Sequence, residues 1–283
     1  MYKLVLLALP LLMLRAASPQ RIVSTAPSVT EMLYALGAGD RVVGVTTYCH
    51  YPPEAALKPK IGTYIRPDVE TILSLRPDLV VAQKATGNPS DRLGSLKLNT
   101  LMVDHDTIPG IFQSIESIGR AVGAEARAAA LVRNIRAELD SVRARTGALP
   151  RRRVVFVVGR TPGRLENVIA VGKSSYLSDV MEIAGGANVF RDSIAAYPKV
   201  SLEELLSRNP EVIVDMGEMA ETIGVSDERK RAVVALWQRY PILTAVKQGR
   251  VYAVASDIFV VPGPRVVEAV KAFAKMLHPE AGF

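Results

Sequence analysis

The chain has 283 residues, of which 49% are hydrophobic and 22% are charged, and its formal net charge at pH 7 is +7. These proportions are ordinary for a globular protein and exclude a disordered or collagen-like chain. The single cysteine, Cys49, excludes an intrachain disulfide framework and a cysteine-based metal cluster. No basic stripe interleaved with aromatic residues accompanies the positive charge, so nucleic-acid binding is not expected.

The amino terminus is typical of a secretory signal peptide, which we place at residues 1–17. Lys3 precedes an apolar run over residues 4–14, and small residues follow it. The run is too short to span a bilayer as a mature helix, and a buried amino-terminal helix is the alternative interpretation. No cysteine follows the run, so a lipid-anchored amino terminus is not expected. We therefore predict export to the periplasm as a soluble protein.

The first half of the mature chain alternates short apolar runs with helical patterns. Ser28 is a fair N-cap for a helix that continues to Leu36, and Glu31 is placed to complete a capping box. The pattern predicts two further helices, over 69–75 and 91–98. Strands are predicted over 21–24, 42–45, 79–82 and 100–103.

A long helical pattern follows, from Ile111 to Thr146. Its most regular part covers residues 124–145, about 30 Å of helix, and it lies between the two halves of the chain. This segment is therefore the natural connector. The apolar residues at helical spacing within it are Leu131, Ile135, Leu139 and Val142.

The second half repeats the alternation of strands and helices. Strands are predicted over 154–158 and 251–254, and helices over 176–184 and 265–277. A succession of strand, helix and strand in each half argues for parallel sheets with helices on both faces. Ligand sites in such sheets lie at the carboxyl ends of the strands.

The predicted fold class is therefore α/β, with two Rossmann-like lobes whose parallel sheets are joined by a single long rigid helix. The N-terminal lobe covers residues 18–122, the connecting helix 123–147 and the C-terminal lobe 148–283. We expect a ligand cleft between the lobes.

One stretch of sequence occurs twice. Residues 68–81 and 201–214 both contain a capping residue, an apolar residue, Glu, an apolar residue followed by Leu and Ser, then Pro, an acidic residue and an apolar run. The two copies are roughly 130 residues apart, which is far longer than the period of any solenoid. The repeat therefore predicts two related lobes that meet across a cleft.

Several segments resemble one known family in collinear order over nearly the whole mature chain. They resemble the substrate-binding proteins of ABC importers for vitamin B12 and ferric siderophores, and the vitamin B12-binding branch most closely. The resemblance implies two α/β lobes bridged by one rigid helix, and capture of a large ligand for delivery to a membrane permease, without chemistry. The segments that carry it are residues 21–31, 48–53, 76–80, 185–190 and 256–265.

The resemblance gives a role to Glu70 and Glu203, which occupy equivalent positions in the two copies of the repeat. In the family, one exposed glutamate on each lobe docks with arginines of the permease dimer, and these two positions match that motif. Charge-assisted Glu–Arg pairs at an interface rim favour orientation and rapid association. The alternative is a local role, in which both carboxylates interact with the dipoles of their own helices.

The resemblance also implies aromatic contacts to a cobalamin or a related corrinoid. Tyr48, Tyr64 and Tyr197 lie in loops, at places where vitamin B12-binding relatives carry tryptophan or tyrosine. Aromatic faces cover a large, flat, partly apolar ring well. Ordinary surface tyrosines are the alternative interpretation.

Three further residues complete the predicted binding set. Arg265 begins the last helix, where a cation is slightly unfavourable, and this favours a role in the cleft. Phe259 lies in the loop before it, and the imidazole of His50 is a suitable ligand for a corrinoid cobalt or a haem iron. The predicted ligand-binding residues are thus Tyr48, Tyr64, Tyr197, Phe259, Arg265 and His50.

No catalytic residues and no protein metal site are predicted. A transition-metal site needs three or four convergent ligands, and His50, His105 and His278 do not match such a pattern. We expect His278 to interact with the dipole of the last helix. Residues 172–175 resemble the tail of a phosphate loop but lack its glycine-rich start.

The leading prediction is a monomeric periplasmic substrate-binding protein for cobalamin or a related corrinoid, without a resident cofactor. The alternative within this class is a protein of the same fold for a ferric siderophore or haem. From other classes, a secreted enzyme that acts on a bound cofactor and a structural or adhesive module remain as alternatives. The absence of a catalytic motif argues against the enzyme, and a repeat that builds a cleft argues against the module.

Overall fold

The structure is a computed structural model that describes residues 18–84, 97–217 and 225–283. The predicted signal peptide lies outside the described residues, as does the predicted helix over 91–98 apart from its last two positions. Among the residues that the structure describes, no helix is both long enough and apolar enough to cross a membrane.

The N-terminal lobe contains a four-stranded, fully parallel sheet in the order β2-β1-β3-β4. Val80 and Val81 of β3 are both fully buried, so this strand has helices or loops over both faces, as its unbroken apolar sequence predicts. The strands are β1 (Ile22–Ser24), β2 (Val42–Gly44), β3 (Leu79–Gln83) and β4 (Thr100–Val103). The helices are α1 (Pro27–Ala35), α2 (Pro53–Ala56), α3 (Val69–Ser74) and α4 (Ile108–Val122).

The capping box predicted for the first helix is wrong. The N-cap of α1 is Ala26, which makes no side-chain cap, and Pro27 occupies the first turn. Ser28 lies inside the helix, where its hydroxyl is hydrogen-bonded to His105. The carboxylate of Glu31 is bound by Arg265 of the other lobe. Both side chains therefore bind residues that are distant in the sequence, and neither caps the helix.

The long helical pattern in the middle of the chain forms two helices. Gly123 ends α4 in the left-handed conformation, with φ of 72°, which favours glycine. The connecting helix α5 (Glu125–Gly147) then runs for 23 residues. Of the predicted stripe it buries Ile135, Leu139 and Val142, whereas Leu131 is only partly buried and the neighbouring Val132 is buried instead.

The C-terminal lobe has the predicted parallel core, and two further strands add antiparallel pairings to it. Strands β7, β5, β9 and β10 are parallel neighbours in that order, and β6 and β8 add antiparallel pairings. The strands are β5 (Arg152–Gly159), β6 (Val168–Ala170), β7 (Gly186–Asn188), β8 (Lys199–Val200), β9 (Val212–Asp215) and β10 (Val251–Ala253). The helices are α6 (Tyr176–Ile183), α7 (Leu202–Arg208), α8 (Asp227–Gln238), α9 (Thr244–Lys247) and α10 (Val266–Leu277).

The sequence repeat corresponds to a structural repeat. Its two copies form α3 with β3 and α7 with β9, and in both the capping side chain accepts a hydrogen bond from a backbone N–H three residues later, at 3.1 Å. The order β2-β1-β3-β4 in the first lobe matches β7-β5-β9-β10 in the second. The two lobes thus share a four-stranded parallel core, and one continuous hydrophobic cluster runs from the first lobe through α5 into the second.

Candidate functional site

The carboxyl ends of the parallel strands carry the loops in which the candidate residues lie. The loop after β2 holds Tyr48, His50 and Tyr51, and the segment after β10 leads to Asp257 and Arg265. Ligands of open α/β sheets bind at this edge of the strands. Near these loops, the two lobes meet through charged side chains of α1 and of the segment before α10.

Arg265 joins the two lobes through an ion cluster. Its guanidinium donates from Nε to Glu31 Oε2 at 3.0 Å and from Nη2 to Glu31 Oε1. It also donates from Nη1 and Nη2 to the two oxygens of Asp257, at 3.1 and 2.9 Å. The Tyr51 ring covers one face of the guanidinium, with 4.0 Å between Cζ and the ring centroid. We call Glu31, Arg265 and Asp257 the interlobe cluster.

The interlobe cluster is largely withdrawn from water. The exposed fractions of the side chains are 2% for Glu31, 12% for Arg265 and 20% for Asp257. Burial raises the pKa of Glu31 to about 7, although the hydrogen bonds and charge of Arg265 act in the opposite direction. The two carboxylates raise the pKa of Arg265, so this side chain is a permanent cation.

This geometry changes the interpretation of Arg265. Sequence reasoning placed it among the ligand contacts, but the structure engages Nε, Nη1 and Nη2 with two carboxylates and covers a face of the guanidinium. The unfavourable place of this cation at the start of a helix did indicate that its role lies outside the helix. The partner, Glu31, was missed because it had been assigned to a local cap.

Phe259 also lies elsewhere than predicted. Its ring is 4% exposed and packs edge-to-face against Phe156 and Phe273, with centroid distances of 5.9 and 5.5 Å. The structure therefore places this ring in the core of the C-terminal lobe. Its backbone carbonyl accepts a hydrogen bond from the Tyr176 hydroxyl at 3.0 Å.

Tyr48 and Tyr64 lie on two loops of the N-terminal lobe that are tied together. The exposed fraction of Tyr48 is 49%, whereas Tyr64 is half-buried and packs against the core. The backbone N–H and the hydroxyl of Thr47 both donate to the Gly62 carbonyl, at 2.9 and 3.0 Å. The structure thus places these two predicted tyrosines on neighbouring loops, and the exposed His50 follows Tyr48 closely in the chain.

Tyr197 is the counterpart of Tyr64 in the second lobe. Each tyrosine stands four residues before the capping residue of its repeat, and the two are 133 residues apart, as are the caps. The exposed fraction of Tyr197 is 43%, and its hydroxyl accepts a hydrogen bond from Ser175 at 3.2 Å. Withdrawal of this hydroxyl from water raises the pKa of Tyr197, and the charge of Asp106 from the other lobe adds to the effect.

Glu70 and Glu203 occupy the first turns of α3 and α7, and both are exposed. The backbone N–H of Glu203 itself and, to a smaller extent, the Ser201 hydroxyl lower the pKa of Glu203. The spacing of Ser201 and Glu204 also predicts a capping box, but the Glu204 carboxylate pairs with Arg208 at 2.8 Å instead. Each lobe therefore presents one exposed carboxylate at an equivalent place.

Two of the three histidines are fully buried. His105 makes a 2.8 Å hydrogen bond through Nε2 to Ser28, and burial lowers its pKa to about 4. His278 was predicted to interact with the dipole of the last helix, but burial lowers its pKa too, which favours the neutral ring over the cation that a helix carboxyl end attracts. Across the described parts of the chain, no group of three or more His, Cys, Asp or Glu residues is arranged to hold a metal ion.

A second buried ion pair lies within the C-terminal lobe, where β5 and β9 end. Arg160 Nε donates to Asp215 Oδ2 at 2.9 Å, and Trp237 Nε1 donates to the same oxygen at 2.7 Å. The other carboxylate oxygen accepts from the backbone N–H of Gly217 at 2.6 Å. Sequence reasoning missed this network because its three side chains are far apart in the chain.

A comparison with family models finds one match, described as periplasmic binding protein, over residues 22–258. The chain is 32% identical over 270 residues to an uncharacterized ABC transporter substrate-binding lipoprotein of Bacillus subtilis, with 93% of this chain and 81% of the relative covered. It is 30% identical over 254 residues to the vitamin B12-binding protein of Vibrio parahaemolyticus, with 89% of this chain and 86% of the relative covered.

Solved structures of periplasmic binding proteins are also similar to this chain. The periplasmic vitamin B12 binding protein of Vibrio cholerae superposes with a TM-score of 0.77 at 27% identity, covering 93% of this chain and 98% of that one. A periplasmic heme-binding protein from Roseiflexus superposes with a TM-score of 0.76 at 26% identity, covering 93% and 99%. Both similarities extend over both lobes and the connecting helix.

Proposed function

The chain belongs to the periplasmic binding protein family, and on that premise we propose that it captures a cobalamin or a related corrinoid in the periplasm and delivers it to the permease of an ABC importer. The observation that carries this proposal is similarity to vitamin B12-binding proteins over about nine-tenths of the chain, in both sequence and fold. The protein acts by binding and transfer, without catalysis.

The tyrosines support the corrinoid. Tyr48 and Tyr197 expose nearly half of their surfaces, and Tyr64 and Tyr197 are repeat-related positions on opposite lobes. Aromatic rings that approach a flat ligand from two lobes can cover both of its faces. We assign Tyr48, Tyr64 and Tyr197 to the ligand, with His50 as a neighbour able to reach a bound metal.

A haem is the second candidate ligand. The haem-binding protein from Roseiflexus shares the fold over both lobes at nearly the same identity, and His50 or a tyrosine hydroxyl would suit its iron. A ferric siderophore is a further candidate, because the family that the sequence resembles includes siderophore-binding proteins.

Ligand capture is tested by incubating the purified protein with cyanocobalamin, haemin or a ferric siderophore, then desalting and recording the visible spectrum. We expect the corrinoid absorption to remain with the protein. Tyr197→Ala should weaken corrinoid affinity by up to about tenfold, because one aromatic contact contributes about 0.5–1.5 kcal/mol. Ile242→Ala, at a residue of the same lobe that is 69% exposed, is the control and should bind normally. Retention of haemin or siderophore alone would reject the corrinoid.

Delivery is tested at Glu70 and Glu203, which we propose as the permease contacts. Glu70→Arg with Glu203→Arg should abolish transport by the cognate importer and leave ligand affinity unchanged, because losing both pairs removes a bivalent contact. Glu54→Arg with Glu228→Arg makes the same charge change at other exposed first-turn positions, and should transport normally. Normal transport in the first double variant would reject the docking assignment.

We also propose a periplasmic location and a monomeric state. The family description supports the location. The relative from Bacillus subtilis is named a lipoprotein, so attachment at the amino terminus needs a direct test. Mass spectrometry of the mature amino terminus and light scattering of the purified protein decide these two points.

A further inference from the structure

The interlobe cluster connects the loops that carry the candidate ligand contacts. On the N-terminal side, the Tyr51 ring lies on the Arg265 guanidinium, 4.0 Å from Cζ to the centroid. Tyr48 and His50 belong to the same loop, and the Thr47–Gly62 hydrogen bonds tie this loop to the one that carries Tyr64. The position of Arg265 therefore bears on both tyrosines of this lobe.

The contacts continue into the C-terminal lobe. Asp257 begins a single turn of 3₁₀-helix that ends at Phe259, whose carbonyl accepts from the Tyr176 hydroxyl at 3.0 Å. Tyr176 directly follows Ser175, and the Ser175 hydroxyl donates to Tyr197 at 3.2 Å. A chain of defined contacts therefore runs from Arg265 to the tyrosine of the second lobe.

The cluster is suited to hold one arrangement of the lobes. Two carboxyl groups share one guanidinium, and the two side chains that meet across the lobes are 2% and 12% exposed. Opening the lobes at this point would break the charge-assisted hydrogen bonds between Glu31 and Arg265, which are roughly twice as strong as neutral ones. The planar, bidentate geometry of arginine makes the contact directional as well as strong.

We propose that Arg265 is a positioning residue, which does not touch the ligand but holds the tyrosine-bearing loops of the two lobes at the separation that the ligand requires. Glu31 is its anchor in the N-terminal lobe and Asp257 its anchor in the C-terminal lobe. The inference rests on the proposed ligand-binding function for its consequence, but the separation of the lobes is a property of the ligand-free protein.

The test measures lobe separation and affinity together. Spin labels are placed at Leu57→Cys and Ile242→Cys, which are 86% and 69% exposed, while the native Cys49 is fully buried and stays unlabelled. Pulsed electron paramagnetic resonance on the ligand-free protein then gives the distance distribution between the lobes. Affinity for cyanocobalamin is measured on the same variants without labels.

We expect Arg265→Met to lengthen and broaden the distance distribution and to weaken affinity about tenfold or more, since small misplacements of binding groups are costly. Arg265→Lys keeps the charge but loses the bidentate contact, so it should fall between wild type and Arg265→Met in both measurements. Lys271→Met is the control on the same helix: it removes a 2.6 Å ion pair with Glu138 whose side chains are 52% exposed, and should change neither.

Weakened affinity in Arg265→Met with an unchanged distance distribution would make Arg265 a direct ligand contact and overturn the proposal. Unchanged distance and affinity would overturn it as well. If Arg265→Met does not fold, the distance distribution and affinity of Arg265→Lys decide the proposal by the same criteria. If wild type retains none of the ligands offered, the proposed function fails, and the distance distribution of the ligand-free variants still decides whether the cluster holds the lobes.

Discussion

Replacing Glu31 with glutamine should change how the stability of the protein depends on pH. The Glu31 side chain is 2% exposed, and burial raises its pKa from an ordinary 4.5 to about 7. Arg265 opposes this rise, while the nearby charges of Asp257 and Glu268 add to it. Glutamine has nearly the same shape but cannot ionise, so the substitution removes one titration. It also removes one of the two acceptors for Arg265, and this loss shifts the stability without adding a titration in this pH range.

The sign of the effect follows from proton linkage. Between pH 4.5 and about 7 the folded protein holds the Glu31 proton more tightly than the unfolded chain does, so stability falls as the pH rises through this window. Each pKa unit corresponds to about 1.4 kcal/mol, which gives an upper value of about 3 kcal/mol for the free energy of unfolding.

In the wild type, the titration of His105 opposes the effect of Glu31 on the pH dependence of stability. Burial lowers its pKa from 6.5 to about 4, against the charge of Asp104, and its packing partner Ser28 is uncharged. The folded protein therefore binds fewer protons than the unfolded chain in this range, and stability rises with pH up to 6.5. The two groups act in opposite directions with similar magnitudes, so their contributions nearly cancel between pH 4.5 and 6.5.

The assay is urea unfolding of wild type and Glu31→Gln at several pH values from about 4.5 to 8. The difference in unfolding free energy, variant minus wild type, should rise by about 3 kcal/mol across this range. Glu138→Gln removes a carboxylate that is 52% exposed and paired with Lys271, and its difference should stay flat. A flat difference for Glu31→Gln would mean that Arg265 keeps Glu31 ionised throughout, and would refute the reasoning.

Three other perturbations have expected outcomes. Asp215→Asn leaves the cation of Arg160, whose side chain is 3% exposed, without its partner, and should lower the unfolding free energy by about 3–5 kcal/mol. The control is Asp140→Asn, in an exposed ion pair, which should change the unfolding free energy by about 0.5 kcal/mol or less. Thr107→Ala removes the side chain that accepts from the Gly110 N–H at the start of α4, and should lower the unfolding free energy by about 1 kcal/mol. Urea unfolding measures both of these changes in stability. Ligand binding should leave the radius of gyration from X-ray scattering nearly unchanged, because a helix connects the lobes and resists bending; a large decrease would contradict a rigid connector.

Sequence by itself determined the features that depend on near neighbours. The repeat at 68–81 and 201–214 predicted two related lobes, and the structure confirms them down to the matching caps, Asp68 and Ser201, and the matching order of parallel strands. The helical stripe over 124–145 likewise predicted the connecting helix. Such patterns are readable because caps and apolar periodicity act within a few residues of one another.

Tertiary structure alone decided which polar groups meet in the interior. Glu31 and Arg265 are 234 residues apart, and a local pattern assigned the first to a helix cap and the second to a ligand. Phe259 was expected in the cleft and lies in the core. A buried charge or ring is stabilised by whatever the folded chain brings against it, and that partner is chosen by the packing of whole elements rather than by spacing along the sequence.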